Sequence, residues 1–291
     1  MTEPNTSNTQ SIILQRGGMQ AILDPRAGLT VESLVYHGTE LIIADMQRKK
    51  AGATYGIPIL FPTPNRVRDS TYLFANRRYA AQMHGFVFRR ALSVETVADK
   101  RVSATMKFDG TDPLFPHAGS FRVTVSLQAD AIRWDFSILN ASELSLAYGI
   151  ALHPFFIKRR GMHLVVNTQS LMEDVEKYPT GGLIPNAEAP WDFTQGVLVD
   201  SLGIDHVFVT DGPVQASLVS EEYTIEIVGN EIFDRTVIYT AEEQPFICVE
   251  PQSCSTDAHN LAEAGFGDAA ALVVVEPGQC SDSWVEFRIK S

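Results

Sequence analysis

The chain has 291 residues, 45% hydrophobic and 20% charged, the balance of a soluble globular protein long enough to bury a sizeable core. Its formal net charge of −12 argues against nucleic acid or an anionic membrane as the main partner, because both select basic surface. No apolar run approaches the roughly 18 residues of a membrane helix, and three cysteines without CxxC spacing (Cys248, Cys254 and Cys280) suit a reduced, cytoplasmic protein.

Residues 1–10, "MTEPNTSNTQ", have no basic n-region and no apolar stretch behind them, so they read as a disordered tail and not a signal peptide. From residue 11 onward period-2 alternation dominates. "RVSATMKF" (101–108) shows it weakly. "FRVTVSLQ" places Phe121, Val123, Val125 and Leu127 on one side, and "AIRWDFSIL" repeats this with Ile132, Trp134, Phe136 and Ile138. The link at Ala129-Asp130 is so short that the two runs form an antiparallel hairpin. "YTIEIVG" (223–229) and "WVEFRIK" (284–290) carry the same pattern. Gly, Pro, Asn and Asp clusters at 109–113, 178–186 and 210–214 mark turns. One helix of two to three turns is expected in "TDAHNLAEAGF" (256–266). With no repeat or linker, residues 11–291 form one continuous all-β domain, a sandwich or barrel.

Candidate chemistry sits where polar residues intrude on apolar runs, since burying them uncompensated costs roughly 1–3 kcal/mol. Four stretches qualify. "GIPILFPTPNRVRD" (56–69) carries Asn65 and Arg66, and "QMHGFVF" (82–88) carries His84. "GIALHPFF" (149–156) carries His153, with Pro154 removing a ladder donor directly after it. "FICVEPQS" (246–253) ends an apolar strand on Glu250. Taken singly, such a histidine is an ordinary core residue and such a glutamate a solvated rim residue. Together, two histidines, an arginine and a glutamate spread over about 190 residues suit strands that converge on one concave face. No His/Cys spacing for a metal, no Walker A sequence, no GxGxxG and no GxSxG occurs, so neither metal nor cofactor is expected.

These stretches carry a resemblance to a known family, the aldose 1-epimerases or galactose mutarotase-like proteins. "GIPILFPTPNRVRDSTYLFANRRYAAQMHGFV" resembles that family's segment from its N-R pair to its H-G pair. "LFPHAGSFRVTVSLQADAIRWDFSILN" followed by "GIALHPFF" resembles its strand pair and H-P-[FY]-F motif. "GIDHVFV" (203–209), "CVEPQSCSTDAHNL" and "VVVEPGQCSDSWVEFRI" are similar to its last third, so the likeness runs from about Gly28 to the C-terminus. It departs in having "FPTPNR" where galactose mutarotases have "GRxANR", and no Trp after "HGF". The resemblance implies an antiparallel β-supersandwich with an open sugar cleft. It also implies that His153 is the general acid and Glu250 the general base, that Arg66, His84 and Asp205 contact the sugar with Asn65 beside them, and that no cofactor is needed. Opening a cyclic hemiacetal takes a proton from the C1 hydroxyl and delivers one to the ring oxygen, each step typically worth roughly 10²–10⁴-fold. On this reading the acid limb of the pH profile belongs to Glu250 and the alkaline limb to His153, while Pro154 stiffens the strand that presents the imidazole.

The expected function is therefore anomer interconversion of a free hexose by a monomer or homodimer. Two other readings stay open. A hexose-6-phosphate 1-epimerase would recruit arginines from the cluster Arg66, Arg68, Arg77, Arg78, Arg89 and Arg90 as a phosphate clamp. Arg89 and Arg90 are expected on opposite faces of one strand, so that only one can reach the cleft. A non-catalytic sugar-binding protein has no use for both His153 and Glu250.

Overall fold

In a computed structural model, residues 10–74, 76–241 and 243–291 are described; the tail expected over 1–10 lies outside the described residues except for Gln10. Two large antiparallel sheets face each other. The first, the outer sheet, has nine strands in the order Val197–Leu198, His163–Val166, Gln215–Val219, Thr224–Gly229, Cys280–Lys290, Ala131–Asn140, Ala118–Leu127, Arg101–Asp109 and Ser93–Ala98. The second, here the site sheet, runs Tyr178–Pro185, Thr168–Val175, Ile204–Thr210, Arg235–Thr240, Phe246–Gln252, Ala151–Leu152, Ile59–Leu60, with Phe156–Ile157 also paired to Phe246–Gln252. Four strands between Ile12 and Glu40 make a further sheet. The fold is the antiparallel β-supersandwich expected from the sequence.

Alternation builds the core. In the predicted hairpin Val123 faces Phe136 and Val125 faces Trp134 across the ladder. Phe121, Val123, Val125, Ile132, Trp134 and Ile138 are fully buried, while Arg122 of the same strand is exposed. Trp134 packs on Phe287 at 5.0 Å between ring centroids, and Phe287 meets Phe156 of the site sheet at 5.5 Å, so the two sheets interlock through aromatic rings. Each such ring removed from water is worth roughly 1.5–3 kcal/mol. Leu14, Met19, Ala21 and Leu23 of the N-terminal sheet join the same cluster.

Helices are few and short. The one expected over 256–266 is only Ala258–Glu263, because Gly265 adopts φ +93 and ends it; a separate turn, Gly267–Ala270, follows. Met46–Lys50 is a helix the periodicity did not announce, since five residues span too little of the 3.6 period. Its visible signals are the Asp45 side chain, which accepts from the backbone N–H groups of Gln47 and Arg48, and the basic last turn. No helix among the described residues is long and apolar enough to cross a membrane.

The candidate active site

The site sheet is buried on both faces, and strand alternation divides the labour between them. In Phe246–Gln252, Ile247 and Val249 join the main core with Ile238, Phe208, Leu152, Phe156 and Ile59. Cys248, Glu250 and Gln252 therefore point the other way. Register extends that second face across the sheet. Glu250 lies opposite Val237, which lies opposite Val207; Cys248 lies opposite Tyr239, which lies opposite Asp205. On the other flank Ala151 pairs with Gln252 and Phe156 with Ile247 in a single register, which brings residue 153 opposite residue 250. His153 and Glu250, 97 positions apart in sequence, thus become one cross-strand pair.

Pro154 removes a ladder donor, as its sequence position implies. His153 N–H donates to the Pro58 carbonyl (3.2 Å) and Phe155 N–H to that of Gly56 (2.9 Å). The position between them would direct its N–H toward the Glu250 strand, and proline has none. The pairing with Phe246–Gln252 is accordingly split into Ala151–Leu152 and Phe156–Ile157, with the imidazole in the gap.

His153 and Glu250 are 4% and 1% exposed, and Nδ1 of His153 stands 3.2 Å from Oε1 of Glu250. That contact is an ion-pair distance without hydrogen-bond alignment: Nδ1 is buried and makes no hydrogen bond. The imidazole stacks on Phe155 at 4.7 Å and 13°. The other carboxylate oxygen, Oε2, accepts from Gln252 Nε2 at 3.0 Å. Gln252 is oriented in turn by Asn65, whose Nδ2 donates to Gln252 Oε1 (3.0 Å) and to Thr256 Oγ1 (2.9 Å). Asn65 thus fixes the carboxylate's support, beyond the place beside the sugar expected for it.

Arg66 Nη2 donates to Asp205 Oδ2 at 3.2 Å on the rim. His84 is placed by a tight turn: its N–H donates to the Asn65 carbonyl (2.8 Å), and both residues have left-handed φ, +66 and +61. Gly85 follows at φ +68, where an added Cβ would stand 2.0 Å from the Phe61 carbonyl oxygen, so the H-G pair requires its glycine. The His84 and His153 rings are 5.4 Å apart.

All six residues singled out in the sequence line one cleft of about 130 Å³. Drug-sized sites run to roughly 300–1,000 Å³, so this one suits a single small polar ring. Sequence reasoning missed Arg48, Thr54 and Tyr239 in its walls, and Gln252 behind them. Gln252 and Tyr239 were accessible in principle: Gln252 is two residues past Glu250, hence on its face, and Tyr239 lies on the neighbouring strand. Arg48 was not, because it arrives on the short helix, where its Nε donates to the Thr54 carbonyl at 2.7 Å.

Electrostatics follow burial. Glu250 is pushed well above the carboxylate range by desolvation, with the Asp205 charge adding to it. His153 is pushed well below 6.5 by desolvation, then by His84 and Arg48. His84 is lowered to about 3, by burial first and then by Arg89, Arg66 and Arg48. Burial therefore favours the neutral form of each group, the carboxyl of Glu250 and the imidazole of His153.

The arginine cluster disperses. Arg89 is not on a strand but in the turn Val87–Arg89, a correction to the expected strand pair. Its Nη1 donates to the carbonyls of Met83 (3.1 Å) and Gly85 (2.8 Å), which ties it to the His84 turn. Arg90 pairs with Asp112 and lies over the Phe86 ring. Arg78 donates to Thr71, and Arg68 stacks over Tyr178.

Comparison with known proteins now bears on the whole chain. YphB of Escherichia coli (strain K12) is 20% identical over 249 residues, 79% of this chain and 82% of that protein. Among solved structures, Slr1438 from Synechocystis sp. PCC 6803 superposes with a TM-score of 0.81 at 22% identity, covering 98% of this chain and 99% of that one. A galactose mutarotase-like protein from Clostridium acetobutylicum gives 0.81 at 18% over 96% and 94%. A galactose 1-epimerase from Lactobacillus acidophilus NCFM gives 0.79 at 16%, over 96% and 94%. The family model for aldose 1-epimerase matches residues 5–288, nearly the whole length. With that match and this fold, the chain belongs to the aldose 1-epimerase family.

Proposed function

We propose that the protein is an aldose 1-epimerase that interconverts the α and β anomers of a free hexose by acid–base ring opening and reclosure. The observation that carries this reading is the buried, oppositely shifted pair at the cleft floor: one carboxyl and one imidazole, 3.2 Å apart. In this scheme the carboxyl proton of Glu250 passes to His153, which creates a base and an acid side by side. Glu250 then accepts the C1 hydroxyl proton as His153 protonates the ring oxygen. The C1–O5 bond breaks, the aldehyde forms, and the pair returns to its resident neutral state. Rotation about C1–C2 and reclosure on the other carbonyl face run the same steps backwards and yield the other anomer. No proton is gained or lost overall. Arg66, Asp205 and His84 line the same cleft, and in this reading they hold the sugar's remaining hydroxyls by directional hydrogen bonds.

In this scheme both limbs of the pH profile are macroscopic values of the coupled pair. The acid limb is the addition of a second proton to the depressed imidazole, and the alkaline limb is loss of the proton from the raised carboxyl. That assignment is the reverse of the one drawn from the sequence.

One observation keeps the phosphosugar reading in second place. Arg48 lies in the cleft wall, and among the described residues no carboxylate pairs with it, so it is a candidate counter-ion for a phosphate. Polarimetry of freshly dissolved α-D-glucose and α-D-galactose tests the main reading. Decay of rotation faster than the spontaneous rate supports it, and equal rates with bound sugar favour a pure binder.

A further inference from the structure

Cys248 takes no part in the reaction proposed above, yet it stands two residues before Glu250 on the same face of the same strand. Its Sγ, a carboxylate oxygen of Glu250 and a ring nitrogen of His153 all lie within 4.8 Å of one another, and all three residues are buried. A second observation points to a missing partner: Nδ1 of His153 is enclosed, makes no hydrogen bond, and lies 3.2 Å from Glu250 Oε1.

These distances can be set against a tetrahedral metal site. Bonds of about 2.0–2.1 Å to N and O at the tetrahedral angle separate the two ligand atoms by about 3.3 Å. The His153–Glu250 edge already has that length. With a Zn–S bond of about 2.3 Å, sulfur stands about 3.6 Å from N or O, so Cys248 has to approach by about 1.2 Å at most. The charge balance also closes, since one thiolate and one carboxylate neutralise a dication and the imidazole binds as the neutral form burial already favours. Cys248 and Glu250, whose protonated forms burial favours, give up any proton they carry on binding. Two of the three ligands, His153 and Glu250, line the cleft. Nitrogen and sulfur at low coordination number favour Zn²⁺ over Mg²⁺ or Ca²⁺.

We propose that His153, Cys248 and Glu250 form a latent site for a borderline-soft divalent cation of the Zn²⁺ class, and that its occupation shuts off the acid–base pair by taking the lone pairs of both catalytic groups. The inhibition rests on the reaction proposed above; the binding does not. Cross-strand register, invisible to motif spacing, is what assembles the ligands.

The test uses the full chain carrying Cys280→Ser, which removes the exposed thiol, stripped with a chelator and desalted. Zn²⁺ is titrated in competition with a chromophoric chelator. One ion per chain is expected, with a Kd of about 1 μM or tighter, weakened by roughly 100-fold or more in Cys248→Ala and Cys248→Ser. Co²⁺ added to the protein with Cys248 intact should give a thiolate-to-cobalt charge-transfer band, a readout that needs no change at the site. Affinity unaffected by either substitution, or a cobalt spectrum without that band, overturns the site. Mutarotation should fall in proportion to Zn²⁺ occupancy and return on chelation. Zn²⁺ bound with the thiolate signature and an undiminished rate overturns the inhibitory role. A metal-free protein without mutarotase activity overturns that role together with the reaction, while the cobalt spectrum still decides the site.

Discussion

Replacing Glu250 by Gln changes one atom's chemistry and little else. Gln252 Nε2, 3.0 Å from Glu250 Oε2, can donate equally to an amide oxygen. The new amide NH₂ then faces His153 Nδ1, 3.2 Å away, where the neutral imidazole offers a lone pair. The fold has no reason to fail, and burial no longer carries a carboxyl held away from its ordinary titration range. Stability follows a definite sign. A carboxyl whose pKa is raised on folding makes the wild type lose stability as pH climbs above the unfolded value, 4.5, toward the folded one. The Gln variant lacks that loss, so its Tm should equal or exceed wild type at neutral pH, with the difference shrinking toward pH 4.5. Catalysis should suffer in the opposite sense. An amide cannot take the C1 proton, and a loss of about 10³-fold corresponds to roughly 4 kcal/mol of transition-state stabilisation. The assay is the initial rate of rotation change for fresh α-D-glucose, with the spontaneous rate subtracted, beside a sugar-binding titration to show the cleft intact. A variant that keeps more than about a tenth of the wild-type rate refutes the base assignment.

Four further outcomes are expected. His153→Asn should depress the rate about as much as Glu250→Gln, and the double variant should be little worse than either, because groups acting as one unit are strongly non-additive; multiplicative losses would show independent action. Since burial keeps His153 neutral below 6.5, kcat/KM one pH unit below that value should stay close to its neutral level, whereas a tenfold fall per unit from 6.5 downward would mark an ordinary histidine and contradict the neutral pair. Gln252→Met keeps the bulk but frees the Glu250 carboxyl from its 3.0 Å donor; kcat should drop about 10²-fold with KM little changed, and an unaltered kcat would show that the Asn65–Gln252 relay does not position the carboxyl. Glucose should be turned over with higher kcat/KM than glucose 6-phosphate, with little effect of salt, because Arg89 is tied to backbone carbonyls and Arg90 to Asp112; a phosphate preference that fades with salt and disappears in Arg48→Ala would promote the phosphosugar reading.

The parts of this molecule that were legible in the sequence are those governed by period 2. The pairing of Val125 with Trp134 and the burial of Phe121 and Ile138 follow from alternation alone. So does the side of the sheet on which Glu250 lies. Which distant strands lie next to one another is not a local property. The convergence of Arg66, His84, His153 and Glu250 was inferred from polar residues lodged in apolar runs, and chain order said nothing of the 3.2 Å contact or the Asn65–Gln252 relay. How far burial favours the neutral forms of His153 and Glu250 was equally out of reach, because an imidazole and a carboxyl look like an ion pair until their shared burial is known. Arg48 stayed hidden because a five-residue helix has too little length to show a face.

The central claim is that this cleft exchanges anomers, and the most direct measurement watches that exchange at equilibrium. Magnetisation transfer between the α and β anomeric protons of glucose or galactose, with catalytic amounts of wild-type protein, reads the rate without a binding step as proxy. The account predicts exchange that rises in proportion to protein concentration and returns to the spontaneous rate with Glu250→Gln. Exchange that stays at the spontaneous rate in the presence of folded, sugar-binding wild type would contradict it.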